Sequence, residues 1–178
     1  MNDTQNGHSD DGTSSAFFYG TLMVPEVFYS VCYDSKHVPD HIAKRHTFQP
    51  AVLEGYCRRR VRHADYPGIT ADEGHTVFGT YATGLTRDNI AKLDYFEGSQ
   101  YVRRGAKVKL LEHVGNTKGQ GNVVGEERSA QTYIFLQKED LEDREWDLEE
   151  FRREKLSTWT RAGYVFEDCD PENPAKAE

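Results

Sequence analysis

The sequence predicts a single α+β domain, a compact mixed fold in which a sheet carries helices. Three observations lead there. Segments rich in aromatic and β-branched residues recur at residues 17–19, 51–62, 77–83, 101–111 and 131–136. Helical spacing interrupts that β-rich text at residues 25–33, again between Thr86 and Gly98, and once more from Trp146 onward. A chain of 178 residues is long enough to bury one real core, and nothing in its length calls for a second.

Taken in order, residues 1–15 hold Asn, Asp, Gly, Ser and Thr with no apolar period, so they cannot offset the entropy of ordering and are expected to form a disordered tail. Residues 168–178 are read the same way, which leaves residues 16–167 as the domain. Residues 16–22 read as a first strand, the unbroken Phe17-Phe18-Tyr19 suiting a strand covered on both faces, with Gly20 permitting a turn. Pro25 suits a first helical turn, and Val24, Val27, Phe28 and Val31 recur at helical spacing, which predicts a helix over 25–33. Residues 51–62 are strand-like, Tyr66-Pro67-Gly68-Ile69 is read with Pro-Gly as punctuation, and residues 77–83 are expected as a central strand.

Thr86 can cap the next helix, in which Ile90, Leu93 and Glu97 share one face with Asp94 on its flank. Gly98 suits a left-handed ending. Residues 101–111 alternate apolar and basic side chains, the pattern of a strand wet on one face. Residues 113–129 are polar and glycine-rich and read as a mobile hairpin loop, and residues 131–136 return as a strand. Trp146, Leu148, Phe151, Leu156 and Trp159 suggest a closing helix packed by aromatics.

Charge and thiols exclude several functions. A formal net charge of -8, from 22 basic and 30 acidic side chains, argues against a phosphate-binding surface and hence against nucleic acid. No apolar run approaches the roughly 20 residues that cross a bilayer, and residues 1–15 are polar where a signal peptide would be basic and then apolar. A cytoplasmic protein without a membrane partner is expected. Cys32, Cys57 and Cys169 are spaced for neither a disulfide framework nor a C-x-x-C zinc site and read as structural thiols. His37, His41 and His46 lie four and five apart without a thiol or acid that completes a metal pattern, so no metal and no cofactor is expected.

Two stretches carry the chemistry. Leu93-Asp94-Tyr95-Phe96-Glu97-Gly98 places Glu97 on the buried stripe of its helix and near the negative end of the helix dipole. Burial and dipole both disfavour the ionised carboxylate, so its pKa should be raised, as a working base requires. Phe17-Phe18-Tyr19-Gly20-Thr21-Leu22 runs into a glycine-bearing turn whose backbone N–H groups could receive an anion. Arg60 and Arg62 are candidates to meet a carboxylate in a cleft, since alternation along a strand sends only part of the basic cluster 58–62 to each face. Asp94 reads as a supporting acid. The residues by themselves also allow Glu97 to be a solvated helix-end side chain and the tyrosines to be core.

The order Tyr-Gly-Thr-Leu, then Tyr66-Pro67-Gly68, then Leu-Asp-Tyr-Phe-Glu-Gly ahead of a tyrosine-headed basic strand, then Tyr133, resembles the gamma-glutamylcyclotransferase-like family over residues 16–137. Within it, the plant and fungal AIG2-like branch is most similar. The resemblance implies a small curved or barrel-like sheet with surrounding helices that enclose a cleft. It implies a small-molecule partner, a γ-glutamyl amide, converted to 5-oxoproline and a free amine. By similarity Glu97 matches the family's catalytic acid/base, Tyr19, Gly20, Thr21 and Leu22 match the substrate-holding loop, and Tyr101 and Tyr133 fall where pocket tyrosines are expected. Ring closure needs only a folded substrate and proton handling, since the attacking α-amine is already tethered to its own γ-carbonyl. One carboxylate can take a proton from the ammonium and return it to the leaving nitrogen. Two other readings stay open: a non-catalytic small-molecule-binding module on the same fold, and a regulatory or interaction protein in which Glu97 is structural.

Overall fold

Side-chain alternation in the first strand sets the architecture. The computed structural model describes residues 12–116 and 118–147. Its elements are β1 (Ser14–Phe18), a 3-10 turn (Thr21–Met23), α1 (Pro25–Tyr33), α2 (Asp40–Ala43), β2 (Phe48–Val61), β3 (Pro67–Leu85), α3 (Arg87–Glu97), β4 (Tyr101–His113), β5 (Val123–Phe135) and β6 (Leu141–Glu145). Every residue of β1 is buried. Phe17, with Tyr19 just beyond the strand, packs inside the sheet against Leu53, Ile69, Val77, Val108 and Ala130, while Ala16 and Phe18 point outward under Val27, Phe28, Ile90 and Leu93 of α1 and α3. One strand therefore serves two cores, which is why it has no polar face.

The hydrogen-bonded strand order is β3-β1-β5-β4-β2-β6, and β3 also pairs with β2. The strands from β3 round to β2 thus close on themselves as a small barrel, leaving β6 on β2 outside the ring. Closure removes open edges that would otherwise template pairing with other chains. Its pairings are antiparallel except β1 with β5, which is parallel. The mixed α+β class and the barrel-like sheet expected from the sequence are what the fold has.

Several boundaries differ from the sequence reading, each for a physical reason. β1 starts at Ser14, inside the stretch read as a tail, because Ser14 pairs with Leu85. It stops at Phe18, and residues 21–23 turn as a 3-10 helix where strand was expected. Pro67-Gly68 is not a turn but the start of β3, where a missing N–H costs nothing at a strand's first residue. Much of the predicted loop 113–129 is strand: β4 runs to His113 and β5 begins at Val123. Residues 141–145 form a strand that the sequence reading did not include, and buried Trp146 follows it outside any helix, its indole N–H donating to the Asp65 carbonyl at 2.9 Å. The remainder of the predicted closing helix, from Leu148, lies outside the described residues, as do residues 168–178. Among the described residues no helix is long and apolar enough to cross a membrane.

Helix α3 matches its prediction most closely. Thr86 Oγ1 accepts from the Asn89 N–H at 3.1 Å and Asn89 Oδ1 accepts from the Thr86 N–H at 3.0 Å, a reciprocal cap worth about 1 kcal/mol. Gly98 ends the helix with φ 77 and ψ -168, positive in φ as expected but extended in ψ, so the chain leaves the helix directly toward β4. Its N–H closes the last turn on the Asp94 carbonyl at 3.0 Å.

Candidate active site

The end of α3, the turn after β1 and the start of β4 enclose a cavity of about 740 Å³, a size suited to a small molecule. Glu97 lines it, as do Tyr19, Gly20, Thr21, Leu22, Tyr101 and Tyr133. These seven of the residues singled out in the sequence are thus brought to one cavity; Asp94 is not in its lining. Arg60 and Arg62 are not among its lining residues: Arg60 donates from Nε to the Ala64 carbonyl at 2.7 Å and pairs with Asp65. The sequence reading missed Tyr66, Phe96 and Gln100 as cavity walls. The Tyr-Pro-Gly motif and the block around Glu97 were signals for the first two.

Glu97 closes the buried stripe begun by Ile90 and Leu93, and it stands half-buried in the wall. Burial first, and the Asp94 carboxylate one turn back second, push its carboxyl from the ordinary 4.5 to about 8. The sequence reading named burial and the helix terminus; the structure adds Asp94. The Asp94 carboxylate is itself pinned, accepting from Arg103 Nε at 2.9 Å and Nη2 at 3.3 Å and from the Tyr133 hydroxyl at 2.8 Å. Proximity to Glu97 is felt all round the cavity, since its charge helps to raise the pKa of Tyr19, Tyr66, Tyr101 and Tyr133. Burial is the larger cause for each of them.

The tyrosine hydroxyls are tied into the frame. Tyr19 donates to the Tyr133 carbonyl at 2.6 Å, Tyr101 to the Pro67 carbonyl at 2.7 Å and Tyr66 to Gln100 Oε1 at 2.9 Å. The turn facing Glu97 is built tightly. Met23 N–H donates to the Gly20 carbonyl at 3.0 Å, which leaves the N–H groups of Gly20, Thr21 and Leu22 without a partner inside the 3-10 turn. A Cβ on Gly20 would sit 2.9 Å from Pro67 Cγ, so glycine lets this turn lie against the head of β3. Behind the turn, the largely covered Arg58 side chain donates from Nη1 to the carbonyls of Tyr19 at 2.8 Å and Phe78 at 3.1 Å and lies 5.5 Å from the Trp146 ring centre. Its carbonyl anchored from behind, the Tyr19-Gly20 peptide is fixed relative to the cavity.

A family model described as gamma-glutamyl cyclotransferase, AIG2-like, matches residues 16–153. The chain belongs to this family. Members of the AIG2-like group from Arabidopsis thaliana agree: AIG2-like protein C is 33% identical over 151 residues, covering 84% of this chain and 76% of its own length. Protein AIG2 B is 31% identical over 151 residues, with 84% and 77% covered. A solution structure of an Arabidopsis thaliana protein superposes with a TM-score of 0.55 at 27% identity, covering 82% of this chain and 76% of that one. A structure named gamma-glutamyl cyclotransferase superposes with a TM-score of 0.50 at 17% identity, over 73% of this chain and 69% of that one, a likeness of fold. In this AIG2-like chain, the family's match begins at Ala16 and so takes in both the turn after β1 and Glu97. Among the described residues, the one group of His, Cys, Asp and Glu side chains near enough to share a cation, Cys57, Asp72 and His75, is not part of the cavity wall.

Proposed function

We propose that this protein is a gamma-glutamyl cyclotransferase that converts a small γ-glutamyl amide into 5-oxoproline and a free amine, without a metal or cofactor in the reaction. The observation that carries the reading is the placement of one carboxyl, held at a pKa of about 8, on the same cavity as a turn whose first N–H groups have no partner within the turn. In its ionised form Glu97 takes a proton from the substrate's α-ammonium. The freed amine attacks the γ-carbonyl carbon of the same molecule, closing the five-membered ring and pushing electrons onto the carbonyl oxygen. N–H groups of residues 20–22 stabilise that oxyanion or hold the α-carboxylate. Glu97 then returns its proton to the departing nitrogen as the C–N bond breaks, the ring nitrogen gives up its second proton to the released amine or to solvent, and the ionised carboxylate is restored.

A pKa near the working pH suits a group that must both accept and donate. Tyr101 and Tyr133 serve in this scheme as cavity walls, offering ring faces, since their hydroxyls are already engaged. The test is to incubate the purified protein with a panel of γ-glutamyl amides and measure 5-oxoproline and released amine. Turnover with at least one amide and its collapse in Glu97→Gln are expected. No product from any amide, or an undiminished rate in Glu97→Gln, refutes the proposal. Saturable binding without amine release would assign the cavity to a binding module instead.

A further inference from the structure

The β2–β3 hairpin carries a second cluster of reactive side chains, away from the cavity. Its ladder runs Tyr56 with Ala71 and then Glu54 with Thr76, so Gly55 alone on β2 faces Asp72, Glu73, Gly74 and His75 on β3. The surplus bulges out of the ladder and folds back over its own strand. Gly74 N–H donates to Asp72 Oδ1 at 3.3 Å and His75 Nδ1 lies 3.0 Å from the same oxygen. Across the ladder Cys57 pairs with Thr70, which brings its thiol under the bulge. A Cys57 sulfur, an Asp72 oxygen and a His75 ring nitrogen all fall within 4.8 Å of one another.

A hydrogen bond between Asp72 and His75 accounts for two of these groups and leaves the sulfur out. The polar contact that the Cys57 thiol does make is a 4.0 Å approach to the Arg58 carbonyl, at the outer limit for sulfur. A tetrahedral zinc ion, with Zn–S about 2.3 Å and Zn–N or Zn–O about 2.0–2.1 Å, needs donors spaced by about 3.3–3.6 Å. The three atoms would have to close by about 1 Å from their outer limit, within reach of rotamer adjustment by exposed His75. Thiolate, imidazole and carboxylate together select a zinc-class cation over magnesium or calcium, which prefer all-oxygen shells. A thiolate and a carboxylate also balance the charge of a divalent ion. Arg59 is the competing cation, with Nη2 at 3.8 Å from Asp72 Oδ2, but its Nη1 lies 3.4 Å from Asp143 Oδ1 and so has a second carboxylate to hold.

We propose that Cys57, Asp72 and His75 form a three-ligand site for a thiophilic divalent cation, zinc being the best fit, with the fourth position open to water. Binding releases the Cys57 thiol proton to solvent and clips the bulge of β3 to β2. None of the three residues lines the cavity, so the ion stabilises the hairpin and takes no part in turnover. Linear spacing gives no sign of such a site, because its ligands meet only through strand pairing.

The probe is Co²⁺ and then Zn²⁺, titrated into the full chain after chelator treatment. One ion per chain is expected, with a thiolate-to-cobalt charge-transfer band that Cys57→Ser removes. His75→Ala and Asp72→Asn should each weaken zinc affinity by at least the roughly tenfold to hundredfold that loss of even an outer partner costs. Zn²⁺ should raise the melting temperature of the parent protein and not of His75→Ala, a substitution at an exposed position that keeps the test readable if Cys57→Ser disturbs packing. Absence of a charge-transfer band, or binding unchanged by Cys57→Ser and His75→Ala, overturns the proposal.

Discussion

Replacing Glu97 with Gln should stabilise the fold while it removes turnover, and the pH dependence of the stabilisation separates a buried acid from a surface one. Gln copies the shape of the neutral carboxyl and cannot ionise. In the unfolded chain Glu97 titrates at its ordinary 4.5, in the fold at about 8, so the folded state binds the proton more tightly. A group of this sign contributes fully to stability below the unfolded pKa, and the contribution is lost as pH climbs from about 4.5 to about 8. At 1.36 kcal/mol per unit, the loss by pH 7 is at most about 3 kcal/mol, and water reaching the half-buried carboxyl lowers that ceiling. Urea unfolding of both proteins near pH 4, 7 and 9 reads it directly. The advantage of Glu97→Gln should be small at the acid end, clear at pH 7 and largest at the alkaline end, alongside a loss in turnover of roughly 10²- to 10⁴-fold. An advantage that does not change with pH, or a variant less stable than its parent at pH 9, would refute the assignment of a desolvated carboxyl.

Other variants test the surroundings of that acid. Asp94→Asn removes the charge that helps to raise the Glu97 pKa while keeping an acceptor for Tyr133, so the acid limb of the kcat/KM profile should move to lower pH. Gly20→Ala places a Cβ 2.9 Å from Pro67 Cγ and pushes the turn off β3. A displacement of about 1 Å there should cost up to roughly 10²-fold in kcat/KM, read by steady-state kinetics, with a smaller change in melting temperature. Tyr101→Phe leaves the Pro67 carbonyl without its side-chain donor and should cost about 1 kcal/mol in chemical denaturation.

What the sequence made legible follows from how local each signal was. Helix α3 could be read with its cap, its stripe and its end, because Thr86, Ile90, Leu93, Glu97 and Gly98 all lie within one continuous segment. Strand β1 was legible as doubly buried, though not its exit at Phe18, because the 3-10 turn forms on backbone bonds that no side-chain pattern announces. The far end of the arm of β4 and β5, residues 113–129, was read as loop for a different reason. Its residues there, including Val123 and Val124, are largely exposed, so no apolar alternation marks it, and pairing between the two strands holds it. Arg58 was passed over for Arg60 and Arg62 because sequence parity assigns all three to one face. Depth along the strand decides which of them is buried, and that depth is set by β6 and Trp146, far away in sequence.

The division of labour in the cavity follows from which hydroxyls are free. Tyr19, Tyr66, Tyr101 and Tyr133 each donate to a carbonyl, an amide or a carboxylate of the frame, and burial raises every one of their pKa values. A phenol so placed is a poor proton acceptor at neutral pH and already spends its proton on the frame, which is why the proposed reaction assigns proton handling to Glu97. The same bonds link the two halves of the site. Tyr19 ties the strand leading into the turn to β5, and Tyr133 on β5 ties to Asp94, one turn from Glu97 on α3. Glu97 and the turn are therefore linked through β5 while lining the same cavity, the arrangement the proposed reaction requires.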